Sequence, residues 1–284
     1  MQKDGKKTTD KVLSFFENNR GKFISGADMA RNIGISRNAV WKSVNELKQR
    51  GYEIESVTNK GYRLTDKNDI ISAEGIRAQM DGDNPLAAGE LVIYEKVDST
   101  NDKAKELAFK GARHGTCVVA ASQEEGRGRR DHLFYSPEGG IYMSVILKPD
   151  RMPFLKSDII TAHIGTCVCE TIENLTGISL CMRGINDLYT KDKKICGILI
   201  ESGSEFDSGR LQWIVAGIGI NFDSDVKRFP KELKKRAASL FEPGKAAISK
   251  NCLIAKILQS ICDTEGIDEK TVLEKYRDRK DRDA

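Results

Sequence analysis

Three arginines and two glycines alternate in the stretch Gln123-Glu-Glu-Gly126-Arg127-Gly128-Arg129-Arg130, and Ser136-Pro137-Glu-Gly139-Gly140 follows a few residues later. Guanidinium forks surround negative charge, and glycines let a backbone close over a ligand. The spacing points to a mobile loop that grips phosphate or carboxylate groups. Three other stretches carry residues suited to binding. Val97-Asp98-Ser99-Thr100-Asn101 places hydroxyls and amides where a strand gives way to a helix that stops at Gly111. Asn186-Asp187-Leu188-Tyr189 followed by Lys193-Lys194-Ile-Cys-Gly197-Ile-Leu-Ile-Glu201 reads as a hairpin in which a lysine precedes a glycine on a buried strand. Ala216-Gly217-Ile218-Gly219-Ile220-Asn221 is a strand small enough for a ligand to approach its backbone. Each has a plainer reading: a helix cap, an exposed lysine before a strand, and glycines that mark a bulge. No Gly-x-x-x-x-Gly-Lys-Ser/Thr phosphate loop is present, which excludes that class of ATPase.

These motifs need a framework, and the chain is long enough to supply one. Its 284 residues can form two domains with a sizeable core. From residue 91 onward, β-rich runs at 91–97, 116–122, 141–147, 195–201 and 211–222 mix with helical patterns at 101–110, 157–175, 248–262 and 268–278. Strands recur without strict strand–helix alternation, so an α+β layer is expected rather than a doubly wound sheet. The seven cysteines all lie beyond residue 115 without Cys-x-x-Cys spacing, which reads as reduced thiols and not as a disulfide framework or zinc site. No apolar run is long enough to span a bilayer, and the basic, polar N-terminus lacks the apolar core of a signal peptide. A cytoplasmic protein with no membrane association is expected.

Residues 1–66 carry 13 Lys and Arg against 8 Asp and Glu, a net +5, while the remainder is close to neutral. A small basic module on a neutral body suggests a polyanionic partner. Residues 9–18 predict a helix whose apolar face is Val12, Leu13, Phe15 and Phe16. Ser25-Gly-Ala-Asp28 resembles a capping box opening a second helix that turns Met29 and Ile33 inward. Gly34-Ile35-Ser36 makes a turn, and Ser36 caps a third helix with Val40, Val44 and Leu47 facing the core. Arg37, Asn38, Trp41, Lys42 and Asn45 then face outward, a set suited to phosphate and base-edge contacts. Residues 51–54 and 61–64 flank Thr58-Asn59-Lys60 as a hairpin with a basic tip at Lys60. A helical protein-binding module is the alternative. We place the first domain at 1–66, a linker with a short helix near 71–80 at 67–90, and the second domain at 91–284.

The loop motif, Ser-Thr-Asn, Asn-Asp with its lysine and glycine, and the glycine-rich strand together resemble the biotin protein ligases, including the bifunctional ligases that also repress the biotin operon. That resemblance implies a winged helix-turn-helix followed by a mixed α/β biotin/lipoate-ligase domain. By the same resemblance, Ser99, Thr100 and Asn101 hold the biotin ring and Gln123 orients it. Arg127 and Arg129, framed by Gly126 and Gly128, clamp phosphate and carboxylate, and Lys194 reaches the carboxylate and the developing adenylate. Gly197 and Asn221 complete the ligand set. The implied substrates are biotin and ATP with Mg²⁺, and the partners are a carboxylase's biotin-acceptor domain, operator DNA and a second copy in a ligand-promoted dimer.

Three departures stand out. Asp131-His132 replaces a glycine and a basic residue in the loop, Arg183-Gly184-Ile185 replaces Lys-Trp-Pro before Asn186, and no strand-forming run follows Tyr276. The small SH3-like barrel that usually closes family members is therefore expected to be missing. A DNA-binding regulator that senses biotin or its adenylate without transferring it is the alternative function, and a lipoate-type ligase is a more remote one.

Overall fold

The computed structural model describes residues 7–67, 69–81, 89–129 and 132–280. Two compact units, Met1–Gln79 and Met80–Ala284, make up the chain. In the first, α1 (Thr8–Glu17), α2 (Gly26–Ile33) and α3 (Arg37–Gln49) pack around Val12, Phe16, Met29, Val40, Val44 and Leu47. Both expected caps form. Ser25 Oγ accepts the Asp28 N–H at 3.0 Å and Ser36 Oγ accepts the Ala39 N–H at 3.1 Å. Gly34 turns the chain between them with φ +74°. The hairpin pairs β1 (Ile54–Val57) with β2 (Gly61–Leu64), antiparallel, and Ile24 bridges to Tyr62 beside it. The bridging segment presses so closely that a Cβ on Gly61 would lie 2.1 Å from the Ile24 carbonyl oxygen.

A short helix does form within the expected linker, as α4 (Ala73–Ala78), but it packs on α1 and belongs to the first unit. Its Ile76 is fully buried, which ties the segment down where the polar flanks suggest a connector. Residues 82–88 lie outside the described residues.

The second unit is built on a seven-stranded sheet. In chain order its strands are β3 (Leu91–Val97), β4 (Cys117–Gln123), β5 (Gly140–Leu147), β6 (Cys181–Arg183), β7 (Asp187–Thr190), β8 (Lys193–Ser204) and β9 (Leu211–Asn221). Spatially they run β3-β4-β5-β9-β8-β7-β6. Among the strands of the described residues only β3 and β4 pair in parallel, because α5 (Thr100–Phe109) carries the chain back between them. The other pairs are antiparallel.

All eight residues of β5 are buried, as a strand covered on both faces requires. On one face Ala104 and Ala108 of α5 pack with Val118, Ile146, Trp213 and Val215. On the other lie α6 (Ser157–Thr176) and α8 (Lys250–Cys262), with α9 (Glu269–Arg277) packed on α6. After β9 the chain forms the short α7 (Lys231–Lys234) and then runs beside Lys194. The Lys194 N–H donates to the Arg236 carbonyl at 2.7 Å, and Ala238 N–H donates to the Lys194 carbonyl at 2.9 Å. Among the described residues no strand follows β9. The seven cysteines are all free thiols, and no helix among the described residues is long and apolar enough to cross a membrane.

Candidate active site

Strand pairing arranges the site in two cross-strand rows. Ser144, Gly217 and Leu199 are neighbours across β5, β9 and β8; Tyr142, Gly219 and Gly197 form the next row. Side chains two apart on a strand share a face, so both rows open toward the face that carries α5. The three glycines leave a trench there. Asn101 lies over Gly217, whose added Cβ would meet Asn101 Oδ1 at 2.1 Å. The ring of Phe134 lies across the paired glycines; a Cβ would come within 2.9 Å of it at Gly197 and 2.5 Å at Gly219. The cavity above holds about 460 Å³ of unfilled, solvent-connected space.

One end of the cavity is polar and held by an ordered set of hydrogen bonds. Ser136 donates its hydroxyl to the Phe134 carbonyl at 2.8 Å and accepts from Gln123 Nε2 at 2.8 Å. Gln123 Oε1 is thereby turned toward Thr100, accepting its N–H at 2.8 Å and its hydroxyl at 3.0 Å. Buried Ser144 reaches Thr100 Oγ1 at 2.8 Å and Asn101 Oδ1 at 2.6 Å, and Asn101 Nδ2 donates to Glu201 at 2.8 Å. Ser99 caps α5 from a fully buried position. The structural and functional readings of Ser-Thr-Asn coincide, because the cap itself builds the cavity wall.

The opposite end is cationic. Lys194 forms an ion pair with Asp187 at 2.8 Å and sits 5.8 Å from the centre of the Phe134 ring. Arg129 donates to Asn186 Oδ1 at 2.9 Å, and Arg127 donates through Nε to Asp102 at 2.8 Å. The described part of the arginine loop is folded back as an irregular hairpin. Arg127 bridges to Leu133 and the Phe134 N–H donates to the Gly126 carbonyl at 2.7 Å. Gly126 is required at that fold, since a Cβ would lie 2.4 Å from the Phe134 oxygen and from Ser136 Oγ. Burial pushes the Cys196 thiol, next to this cluster on β8, well above its usual range and keeps it neutral.

Ser99, Thr100, Asn101, Gln123, Arg127, Gly128, Arg129, Lys194 and Gly197 all line this cavity. Gly126 shapes the loop from behind. Asn221 does not line the cavity; it ends β9 opposite Gly140 and donates to the Ala238 carbonyl at 2.9 Å. Its Oδ1 is buried without a hydrogen-bond partner in the structure. Sequence reasoning missed Phe134, Ser144, Asp102 and Glu201. Ser144 alone left a signal, as the one small polar residue in the apolar run Ile141-Tyr-Met-Ser-Val-Ile-Leu.

Of the departures, Asp131 lies outside the described residues, as does Arg130. Gly184 takes a left-handed φ of +62° in the turn before Asn186, and its carbonyl accepts the Tyr276 hydroxyl at 3.3 Å. Arg183 turns away from the cavity to stack on Tyr189 at 4.7 Å and bond Asp192 at 2.8 Å.

In the first unit, Ser36, Arg37, Asn38, Trp41 and Lys42 are exposed on one side of α3, with Asn45 half-buried. Trp41 is 54% exposed, although it directly follows the fully buried Val40 in sequence. Lys60 at the hairpin tip lies 5.9 Å from the Phe23 ring, and Arg63 lies 4.5 Å from it.

The sequence profile of the biotin/lipoate A/B protein ligase family matches residues 93–221, and an HTH domain profile matches residues 8–63. The bifunctional ligase/repressor BirA of Bacillus subtilis (strain 168) is 37% identical over 248 residues, spanning 87% of this chain and 75% of that protein. The chain belongs to the bifunctional biotin ligase/repressor family. The corresponding protein of Bacillus spizizenii is 39% identical over 249 residues, with the same coverage of each chain. Among solved structures, the biotin protein ligase from Aquifex aeolicus in complex with biotin and ATP superposes with a TM-score of 0.51. It is 30% identical, covering 67% of this chain and 73% of that one. The winged-helix and ligase units expected from sequence are those of this family.

Proposed function

We propose that this chain is an ATP-dependent biotin protein ligase that forms biotinyl-5′-AMP and transfers biotin to a lysine of a carboxylase acceptor domain. The same chain acts as a biotin-responsive transcriptional repressor in the cytoplasm. The observation that carries the reading is the single cavity in which the Ser99–Thr100–Asn101 turn, Gln123, two loop arginines and Lys194 converge over three glycines.

In this reading the fused bicyclic ring lies on the glycine trench, with its polar ureido edge against Thr100, Asn101 and Gln123. The acid tail runs past Phe134 toward Lys194. A carboxylate is a poor electrophile, so it first attacks the α-phosphorus of ATP and expels pyrophosphate. An amine of the acceptor lysine then attacks the mixed anhydride, loses a proton and displaces AMP. Attack of one anion on another is opposed by charge. Arg127, Arg129 and Lys194 offset that repulsion and stabilise charge that grows in the transition state. Asp187 holds the Lys194 ammonium in place through their ion pair. Mg²⁺ bound to the nucleotide's phosphates would further neutralise their charge, and an ion that commonly takes only one or two protein carboxylates would find Asp187, the one carboxylate among the described residues that line the cavity. The exposed face of α3 and the Lys60 tip contact operator DNA, and ligand binding strengthens a symmetric dimer on two half-sites.

Mass spectrometry on the purified chain mixed with biotin and MgATP tests the enzyme: biotinyl-AMP is expected, followed by a mass gain on an added acceptor domain. Bound biotin without adenylate would replace this reading with that of a regulator that only senses biotin. Sedimentation as a monomer at all biotin and ATP levels would refute the dimer.

A further inference from the structure

One hydrogen-bonded path joins Arg127 to Asn101, and it runs through side chains to which no ligand-binding role has been given. Asp102 stands in the first turn of α5, directly after Asn101. Its Oδ2 accepts Arg127 Nε at 2.8 Å and its Oδ1 accepts Lys105 Nζ at 2.8 Å. Lys105 also donates to Glu201 Oε1 at 2.8 Å, and Glu201 Oε2 accepts Asn101 Nδ2. Burial alone would lower the Lys105 pKa, but its bonds to Asp102 and Glu201 outweigh that, and the ammonium is held charged. Arg127 lines the cavity. Its bond to Asp102 uses Nε, and among the described residues its terminal nitrogens take no protein acceptor. A guanidinium held by one edge keeps its fork free for an anion.

We propose that Asp102 is the positioning residue that aims Arg127 at the substrate anion. Through Lys105 and Glu201 it ties that aim to the Asn101 turn. This rests on the ligase reading for the identity of the anion. A solvent-exposed ion pair contributes little to stability. Asp102 differs because it is fixed by Lys105, is mostly buried and is the side chain that holds the Arg127 guanidinium, between the loop's other ties at Glu125 and Arg129. Its effect should fall on loop order and on the nucleotide, and spare the ring end of the cavity, which Gln123, Thr100 and Ser144 hold independently.

The test compares the wild-type chain with Asp102→Ala, Arg127→Ala and the double variant, with Asp102→Asn as the conservative step. In the ligand-free proteins, tryptic cleavage after Arg129 should speed up about tenfold in Asp102→Ala. In biotin-dependent ATP–pyrophosphate exchange, its KM for ATP should rise about tenfold, with biotin affinity within about twofold of wild type. Asp102→Asn keeps an acceptor oxygen and should fall between. In the Arg127→Ala background, removing Asp102 should add almost nothing to the KM, the signature of two residues acting as one. Unchanged cleavage, or losses that add in the double variant, would overturn the proposal. If the wild-type chain performs no exchange, the ligase reading fails by itself, and the cleavage rates still decide whether Asp102 orders the loop.

Discussion

Gly217→Ala is a small change with a large expected effect. The new methyl would lie 2.1 Å from Asn101 Oδ1, 2.8 Å from its Cγ and 2.9 Å from its Nδ2. Ordinary contact requires the amide to retreat by roughly 1 Å. It cannot do so alone, because Ser144 holds Oδ1 at 2.6 Å and Glu201 holds Nδ2 at 2.8 Å. Breaking one neutral and one charge-assisted hydrogen bond costs about 2–4 kcal/mol. For a unit of this size that lowers Tm by roughly 5–10 °C. An amide turned away from the ring also removes an aimed contact, which should weaken biotin binding by about 10- to 100-fold. Titration calorimetry with biotin alone measures this, and differential scanning calorimetry measures the stability. The reasoning makes a sharper demand in the Asn101→Ala background, where the obstacle is gone: there Gly217→Ala should cost almost nothing. A full penalty in that background, or biotin affinity within about twofold of wild type in the single variant, would refute it.

Three other outcomes follow from the geometry. Lys194→Ala should lower the rate of adenylate formation by about 10²- to 10³-fold, with an unchanged circular dichroism spectrum; retained activity would remove Lys194 from the role given to it. Arg37→Ala or Lys60→Ala should weaken operator binding across sequences and reduce the salt slope by about one, as read by fluorescence anisotropy at several salt concentrations. Burial depresses the pKa of His163, and burial followed by the Arg151 charge depresses that of His114, so both are neutral in the fold. The unfolded chain therefore binds protons that the folded chain refuses. Stability should fall as pH drops below about 6.5, by up to roughly 1.4 kcal/mol per pH unit for each histidine. Urea titrations between pH 7.5 and 5 in a Trp41→Phe background, where Trp213 reports the second unit, check this. His163→Asn should flatten the slope.

Local signals in the sequence placed much of this structure. The caps at Ser25 and Ser36, the core face of α3 and the limits of β5 and β9 follow from residue spacing within a few positions. The hairpin of β7 and β8 was legible in the run from Asn186 to Glu201, but the short strand β6 did not show, because three residues carry too little periodicity to distinguish it from a turn. The same limit hid the role of α4, whose burial depends on packing against α1. At the site, motifs exposed the groups that would touch ligand, whereas the groups that orient them are distant in sequence. Asn101 and Glu201 are one hundred residues apart, and Ser144 and Thr100 are forty-four apart. Their pairing is set by the sheet order and leaves no local pattern. Phe134 escaped notice for a related reason: an aromatic beside an arginine loop looks ordinary until the two glycines beneath it are known to face each other.

The sheet order also governs how the chain must fold as it is made. Strand β5 pairs with β4 on one edge and with β9 on the other, yet β9 begins only at Leu211. At roughly 5–20 residues per second, the interval between synthesis of Leu147 and Leu211 lasts roughly 3–13 seconds. Throughout it, the edge of β5 that β9 will occupy stays open, and the eight residues that become fully enclosed are exposed to other nascent chains. The glycines that let β9 pass beneath the site also give it weak intrinsic strand preference, so its arrival depends on β5 and β8 being ready to receive it. Slower translation at lower temperature leaves that edge open for longer, and chaperone capacity during this interval, rather than the stability of the finished domain, is what should set the soluble yield.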